Sequence, residues 1–567
     1  MNQTRTFLLF AWLTLAFLCW QAWEQDHAPP PQAESPIASQ SASPSGVAAP
    51  LPPTPTPPIA STSAVAGTVA PAAPPSASAA PPVDLSNDVL RLRLDPLGAS
   101  LVGAELLAYG QTGDHASRPI KLLDSEPSDF FVAESGLVSA SGHAPAYTSA
   151  YQVEGRGGNQ LASGSDSVSQ SFLWTDASGL QVRKTYTLHR GSYVIDLHEE
   201  IRNAGTVAWS GNDYRWLRRV PPIIKNAGGG MTNPESYAFV GAAWYSPEDK
   251  YETLKLSSYA PSPDKTVTGG WMAMVQHYFL AAWIPDPKEA TKLSTESKTV
   301  NGATYYSIAA LGPAIVVPAG GSHASDSRLY VGPSLQDVLP KVAPGLELTV
   351  DYGWFKTFAL PIYWLLSKIH WLIGNWGWSI VLLVLLIKLV MYKLSDAQFR
   401  SMAKMRAMQP RLEALKERYG DDKQQYNMAM MELYKKEKIN PAGGCLPLLV
   451  QIPVFLALYR VLLYSVELRH APWMGWIHSL SDPDPYFVLP ALYLIVMFAT
   501  QRLTPTPGMD PMQRKMMQAM PLVFGVMFAF FPAGLVLYWV TNGSLGLLQQ
   551  WWLMRKHGTP AAGNRKG

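Results

Sequence analysis

Lys388 is the side chain whose type and position most directly imply chemistry. It interrupts the otherwise apolar run from Trp378 to Leu394, WSIVLLVLLIKLVMYKL. A charge at the centre of a membrane helix costs on the order of 2.5–3.5 kcal/mol, so such a residue faces a protein interior or a wet cavity and marks a functional site by default. At about 1.5 Å per residue, Lys388 lies roughly 9 Å inside the Leu394 end. The competing reading is that its long stem snorkels to the headgroups beside Lys393. Two glutamines, Gln451 and Gln501, also stand within apolar stretches.

Other candidate constellations fail on inspection. His198-Glu199-Glu200-Ile201-Arg202 begins like a zinc-protease helix, but Arg202 stands where the second histidine is required. Gly155-Arg156-Gly157-Gly158 lacks the Lys-Ser/Thr of a phosphate loop. His277 beside an apolar run reads as a satisfied core or rim histidine. No catalytic constellation, metal site or cofactor motif emerges, so a protein that is not an enzyme is expected. A formal net charge of +3 over 567 residues argues against a general nucleic-acid binder. The two cysteines, Cys19 and Cys445, make no disulfide framework.

The chain that must position Lys388 is 47% hydrophobic, with its 19 Trp and apolar residues in blocks. Residues 1–27 begin with a short polar start and then FLLFAWLTLAFLCWQAW, a retained anchor helix with a cytoplasmic amino terminus. Residues 28–83 are Pro-, Ala- and Ser-rich and read as a disordered tether. Residues 84–335 carry strand patterns. In the stretch from Gln181 to Leu188 alternation is clear in the later half. Arg190-Gly191-Ser192 turns the chain, then Tyr193, Ile195, Leu197 and Ile201 mark one face and Asp196, His198, Glu200 and Arg202 the other. Leu90, Leu92 and Leu94 repeat the pattern, so a large antiparallel β-sandwich is expected.

Residues 350–375 place Phe355, Phe358, Ile362, Leu365, Ile369 and Leu372 at helical spacing, predicting an amphipathic helix along the outer interface. Residues 376–555 form a membrane core. Within it, 395–440 is a basic helical hairpin: Phe399, Met402, Met405, Met408, Leu412, Leu415 and Tyr419 make one stripe, with Pro410 bending that arm. Asp421 with Gln424 suits a capping box for the second arm, whose stripe is Tyr426, Met430 and Leu433. Further spans are expected over 441–464, 486–503, 516–531 and 532–554. With a basic tail at 556–567, the positive-inside tendency gives six spans, both termini cytoplasmic and the β-domain outside.

The local sequences resemble the YidC-type membrane protein insertases in their Gram-negative form. The resemblance rests on Ser401-Met402-Ala403-Lys404-Met405-Arg406, on Asn440-Pro441-Ala442-Gly443-Gly444-Cys445, and on Gln451-Ile452-Pro453-Val454-Phe455 with its continuation to Tyr459. It rests also on Asp510-Pro511-Met512-Gln513 and on Phe531-Pro532-Ala533-Gly534 running on to Tyr538. It is strong from about 351 to 555. It implies a polytopic α-helical membrane protein whose six transmembrane helices include a five-helix insertase core, with a periplasmic all-β supersandwich of the sugar-mutarotase kind. It also implies a hydrophilic groove, open to cytoplasm and lipid, holding a positive residue that is usually arginine and here falls on Lys388. Trp539, Tyr538, Gln451 and Gln501 would line the groove, and Phe455 and Met527 an apolar slide. Lys404, Arg406, Tyr419 and Asp421 belong to the cytoplasmic hairpin. The partners implied are nascent membrane proteins, the ribosome, the Sec translocon and the bilayer of the bacterial inner membrane, with no specific nucleic-acid sequence. The rival reading is an anion-binding transporter or channel, which expects internal repeats among the spans.

Overall fold

Period-two alternation marks the β-domain strands Leu90–Asp95, Leu180–His189 and Val194–Asn203, whereas Phe131–Val138, Trp271–Gln276 and Phe279–Ile284 are buried almost throughout. The computed structural model describes residues 81–112, 117–155, 159–223, 238–261, 265–397, 408–419, 422–437, 446–503 and 511–557. The anchor and nearly all of the tether lie outside these. Strands Leu180–His189 and Val194–Asn203 pair antiparallel around the turn at Arg190-Gly191-Ser192, with Ile195, Leu197 and Ile201 buried and His198 and Arg202 exposed. Leu90, Leu92 and Leu94 are fully buried in strand Leu90–Asp95. The strands among the described residues make two nine-stranded sheets, antiparallel throughout. One runs from Val83–Ser86 through Trp209–Arg219 and Ala303–Val317 to Lys265–Thr268. The other runs from Lys250–Lys255 through Ser322–Pro333 to Gln152–Glu154.

The sandwich interior is not wholly apolar. Alternation carries Lys184 and Glu199 inward as directly opposed partners on neighbouring strands. The Lys184 ammonium stands 3.7 Å from Glu199. It also donates to the Gly98 carbonyl at 3.0 Å, and to the Ser135 carbonyl and hydroxyl at 2.8 Å each, on the opposite sheet. One buried cation thus pins the two sheets together. A second buried pair, Arg218 to Glu134, is bidentate at 2.6 and 2.7 Å.

Beyond the sandwich, α1 (Leu339–Val342) and a linker lead into α2 (Lys356–Ile373) and α3 (Trp376–Val390). Then come α4 (Gln409–Tyr419), α5 (Lys423–Lys436), α6 (Leu446–Tyr464), α7 (Val488–Leu503), α8 (Pro511–Phe528) and α9 (Ala533–His557). Gly374, at φ 72°, reverses the chain after α2. Asn375 then caps α3 by accepting from Trp378 N at 3.1 Å, and it donates to the Trp473 carbonyl at 2.9 Å. Helix α9 packs along both α3 and α7 and only grazes α6, while α2 lies on α6 and α3. One apolar core runs on from the sandwich into these helices.

Helix α2 packs on protein through Ala359, Tyr363, Leu366 and Ile369, and Phe358 and Leu372 of the expected apolar stripe are exposed beside Trp364 and Trp371. The helix is apolar on nearly all sides, so spacing does not choose which side packs on protein. Helix α3 ends at Val390, not Leu394, and helical turns resume over 392–397. Pro410 lies in the first turn of α4, where its missing N–H costs no hydrogen bond; residues 398–407, which open the expected arm, lie outside the described residues. The cap of α5 is Asp422, which accepts from Gln424 N and Gln425 N at 2.9 and 3.0 Å; Asp421 lies outside the described residues. The two arms do run antiparallel, with Arg411 at the start of α4 2.6 Å from Glu437 just past α5.

Among the described residues no helix is both long and apolar enough to cross a membrane. The 15 residues of α3 reach about 22 Å against roughly 30 Å of hydrocarbon. Arg514 and Lys515 dilute α8, and Asn542, Gln549 and Gln550 dilute α9. The described helices therefore do not by themselves establish six spans.

The inter-sheet pin is testable. Lys184→Met should cost about 3–5 kcal/mol in chemical unfolding, because Glu199 is left buried and uncompensated. Adding Glu199→Leu should recover roughly half of that loss. Equal stability of the single variant and the parent chain would show that the pair is not coupled.

Candidate functional site

Lys388 occupies the last turn of α3 and is half-buried. A Cβ built on Gly546 of α9 would stand 3.6 Å from the Lys388 ammonium, so the charge lies against a position of α9 that presents no side chain. No carboxylate pairs with it among the described residues. Gly543, one turn back, admits Val496 of α7. A helical glycine costs about 1 kcal/mol relative to alanine; here the two glycines let neighbouring elements approach the α9 backbone closely.

Two turns before Gly546, on the same side of α9, stands Trp539. That is roughly 10 Å along the helix. Its indole stacks on Phe528 of α8 at 4.0 Å. Phe455 of α6 lies 5.5 Å away, Phe531 5.9 Å and Tyr493 of α7 6.3 Å. Tyr538 is buried and faces Phe455 at 6.1 Å. Four helices thus contribute to one aromatic cluster centred on Trp539; Met527, the residue before Phe528 on α8, is half-buried against the wider apolar core.

Phe455, Tyr538 and Trp539 are therefore brought together, with Lys388 two turns further along α9. Gln501 sits half-buried in the last turn of α7. Gln451 lies on α6, but its side chain is outside what is described. Lys404, Arg406 and Asp421 fall outside the described residues, and Tyr419 closes α4 far along the sequence from this cluster. Sequence reading missed Phe528, Tyr493 and Gly546. The signal for the last was present in Gly543, Ser544 and Gly546, small residues clustered inside a helix.

It also missed the joint between sandwich and helices. The Tyr363 hydroxyl of α2 donates to Glu467 Oε1 at 2.8 Å, and Gln336 N donates to the same oxygen at 3.4 Å. Glu467 Oε2 is sealed from solvent with no partner. Desolvation pushes this carboxyl above its usual range, against the hydrogen bonds from Tyr363 and Gln336. His277 bridges the same junction: its Nε2–H donates to the Leu463 carbonyl at 3.0 Å, and burial holds its pKa down to about 4. It is a satisfied rim histidine, neutral at physiological pH, and it fastens the sandwich to the end of α6.

The comparisons agree with this division of the chain. The family model described as 60Kd inner membrane protein matches residues 356–560, and the one described as YidC periplasmic domain matches residues 82–365. The chain is 48% identical to the membrane protein insertase YidC of Xanthomonas campestris pv. campestris (strain 8004), over 98% of each chain. It is 46% identical to that of Stenotrophomonas maltophilia (strain R551-3), over 98% of this chain and 97% of the other. Among solved structures, an active YidC insertase with its first transmembrane domain resolved is 18% identical, covering 85% of this chain and 94% of the other at a TM-score of 0.38.

Glu467→Gln tests the joint. Because the native carboxyl keeps its proton longer than the unfolded one, the parent chain loses stability as pH rises above the ordinary glutamate value of 4.5. The variant has no such loss, so its thermal midpoint relative to the parent should rise across that window. A difference that shrinks as pH rises would refute the assignment.

Proposed function

The chain belongs to the YidC family of membrane protein insertases, and we propose that it inserts and folds newly made membrane proteins in the bacterial inner membrane, alone or with the Sec translocon. In this reading the core crosses the membrane five times and the amino-terminal anchor once, both termini are cytoplasmic, and the sandwich is a periplasmic supersandwich.

The observation that carries the mechanism is the Lys388 ammonium beside Gly546, two turns from Trp539. A polar tail must cross roughly 30 Å of hydrocarbon. A wet groove bounded by α3, α6, α7 and α9, entered from the cytoplasm and from lipid, shortens the dry part of that path. Lys388 attracts acidic groups of the tail into the groove, with Gln451 and Gln501 as polar wall. The membrane potential adds about 2.3 kcal/mol per charge per 100 mV in drawing acidic tails outward. The client's apolar helix leaves into lipid past Phe455 and Met527, where Trp539 and Tyr538 keep the aromatic wall rigid. The basic hairpin with Lys404 and Arg406, together with the tail at 556–567, offers docking surface to the acidic ribosome. Lysine supplies the charge without the planar fork of arginine, so attraction rather than bidentate pairing is the operative term.

Insertion measured in proteoliposomes checks this directly. Lys388→Ala should lower insertion of clients with acidic tails by roughly tenfold or more, the scale of one charge-assisted contact. Lys388→Arg should keep it, and clients with neutral tails should be little affected. Equal insertion by all three proteins would remove Lys388 from the mechanism.

A further inference from the structure

Between the sandwich and the loop that follows α6 lies a cavity of about 670 Å³. Arg219, the last residue of strand Trp209–Arg219, forms part of its wall and is 2% exposed. Its Nε donates to the Val220 carbonyl at 3.1 Å, its Nη2 donates to Gln276 Oε1 at 3.0 Å, and its plane lies 4.7 Å from the Phe131 ring. Its Nη1 has no partner. No carboxylate pairs with Arg219 among the described residues, and burial alone lowers its pKa, to about 10, which leaves it charged. A buried, uncompensated guanidinium is costly to maintain, and the cost is relieved where an anion binds.

The surroundings favour one. Arg469 and the neutral His277 share the wall, and His277 Nδ1 is buried without a partner. The acids of the cavity do not oppose Arg219. Asp124 is 3.3 Å from Lys121, while Asp129 and Asp482 are exposed.

We propose that this cavity binds a phosphate oxyanion, carried by a phospholipid headgroup or by a soluble phosphate ester, with Arg219 as its principal donor. Its volume lies within the range of small-molecule sites and is far larger than phosphate alone requires. Its wall adjoins Leu463, at the outer end of α6, and includes Ile223, which is 57% exposed. Those features suit a glycerophospholipid. The lipid source rests on the reading of α6 as a span; the oxyanion site does not.

The full chain in phosphatidylcholine nanodiscs is the starting state, with thermal unfolding as readout. Adding phosphatidylglycerol to the discs should raise the midpoint. Stabilisation by soluble glycerol phosphate alone would instead identify a soluble ester as the ligand. Arg219→Met should lose the gain, with at least tenfold weaker binding, yet unfold no earlier than the parent in phosphatidylcholine, since it deletes an unpaired buried charge. No stabilisation by either compound, or equal stabilisation of the variant, overturns the proposal. Should the variant not fold, a phosphatidylglycerol with a photoreactive headgroup should crosslink the parent chain near Arg469 and Ser481, and absence of those crosslinks overturns it equally. The insertion assay with Lys388 variants is independent of every one of these outcomes.

Discussion

Holding an ammonium among packed helices is the requirement on which the carboxyl-terminal half of this molecule turns. Lys388 is not free to leave: the α3 backbone carries it to the face that α9 covers, and α9 accommodates it by having glycine at 546. A methyl group there would stand in ordinary contact with the ammonium, at 3.6 Å, and only a long or branched side chain aimed at the charge would displace it. The same stretch of α9 is drawn close to α7 by Gly543, so among the described residues the surroundings of the cation are fixed by backbone proximity rather than by a counter-ion. A cation kept without a carboxylate is disposed toward an anion that arrives from outside. That disposition is what the proposed function uses.

The rest of the helical domain holds that arrangement in place. The aromatic cluster at Trp539 ties α6, α7, α8 and α9 into one unit. The first turn of α9 is anchored from outside the bundle, because Ala533 N and Gly534 N donate to the Asp482 and Leu480 carbonyls at 2.7 and 2.8 Å. That outer loop is in turn fastened to α2 and the sandwich through Glu467 and to the sandwich through Arg469, whose Nη1 donates to the Gly110 carbonyl at 2.9 Å. The large outer domain is thus bolted to the same segment that fixes the start of α9.

What could be read in advance follows from how each feature is encoded. The hairpin around Arg190-Gly191-Ser192 was legible because period-two alternation survives whatever packs on it. Lys184 and Glu199 were not, since polar residues on the inward register look like members of the wet face until the opposite sheet is known. Helix α2 was legible as a helix, but its packing face was not, because tryptophans surround it. Lys388 stood out as a charge in an apolar run, and Trp539 through resemblance. Gly546, Phe528 and Tyr493 gain meaning only from the elements placed against them. Glu467 reads as an ordinary loop acid until Tyr363, about a hundred positions earlier, is seen to donate to it.

The most direct test of the central claim is the reach of water to the space beside Lys388. In a chain with Cys19 and Cys445 replaced by serine, a single Gly546→Cys substitution puts a thiol next to the ammonium, and a membrane-impermeant maleimide is applied to vesicles of either orientation. Labelling from the cytoplasmic side and protection from the periplasmic side is the expected result. A thiol that reacts from neither side, or only from the periplasmic side, would contradict a cytoplasm-facing wet groove around this cation.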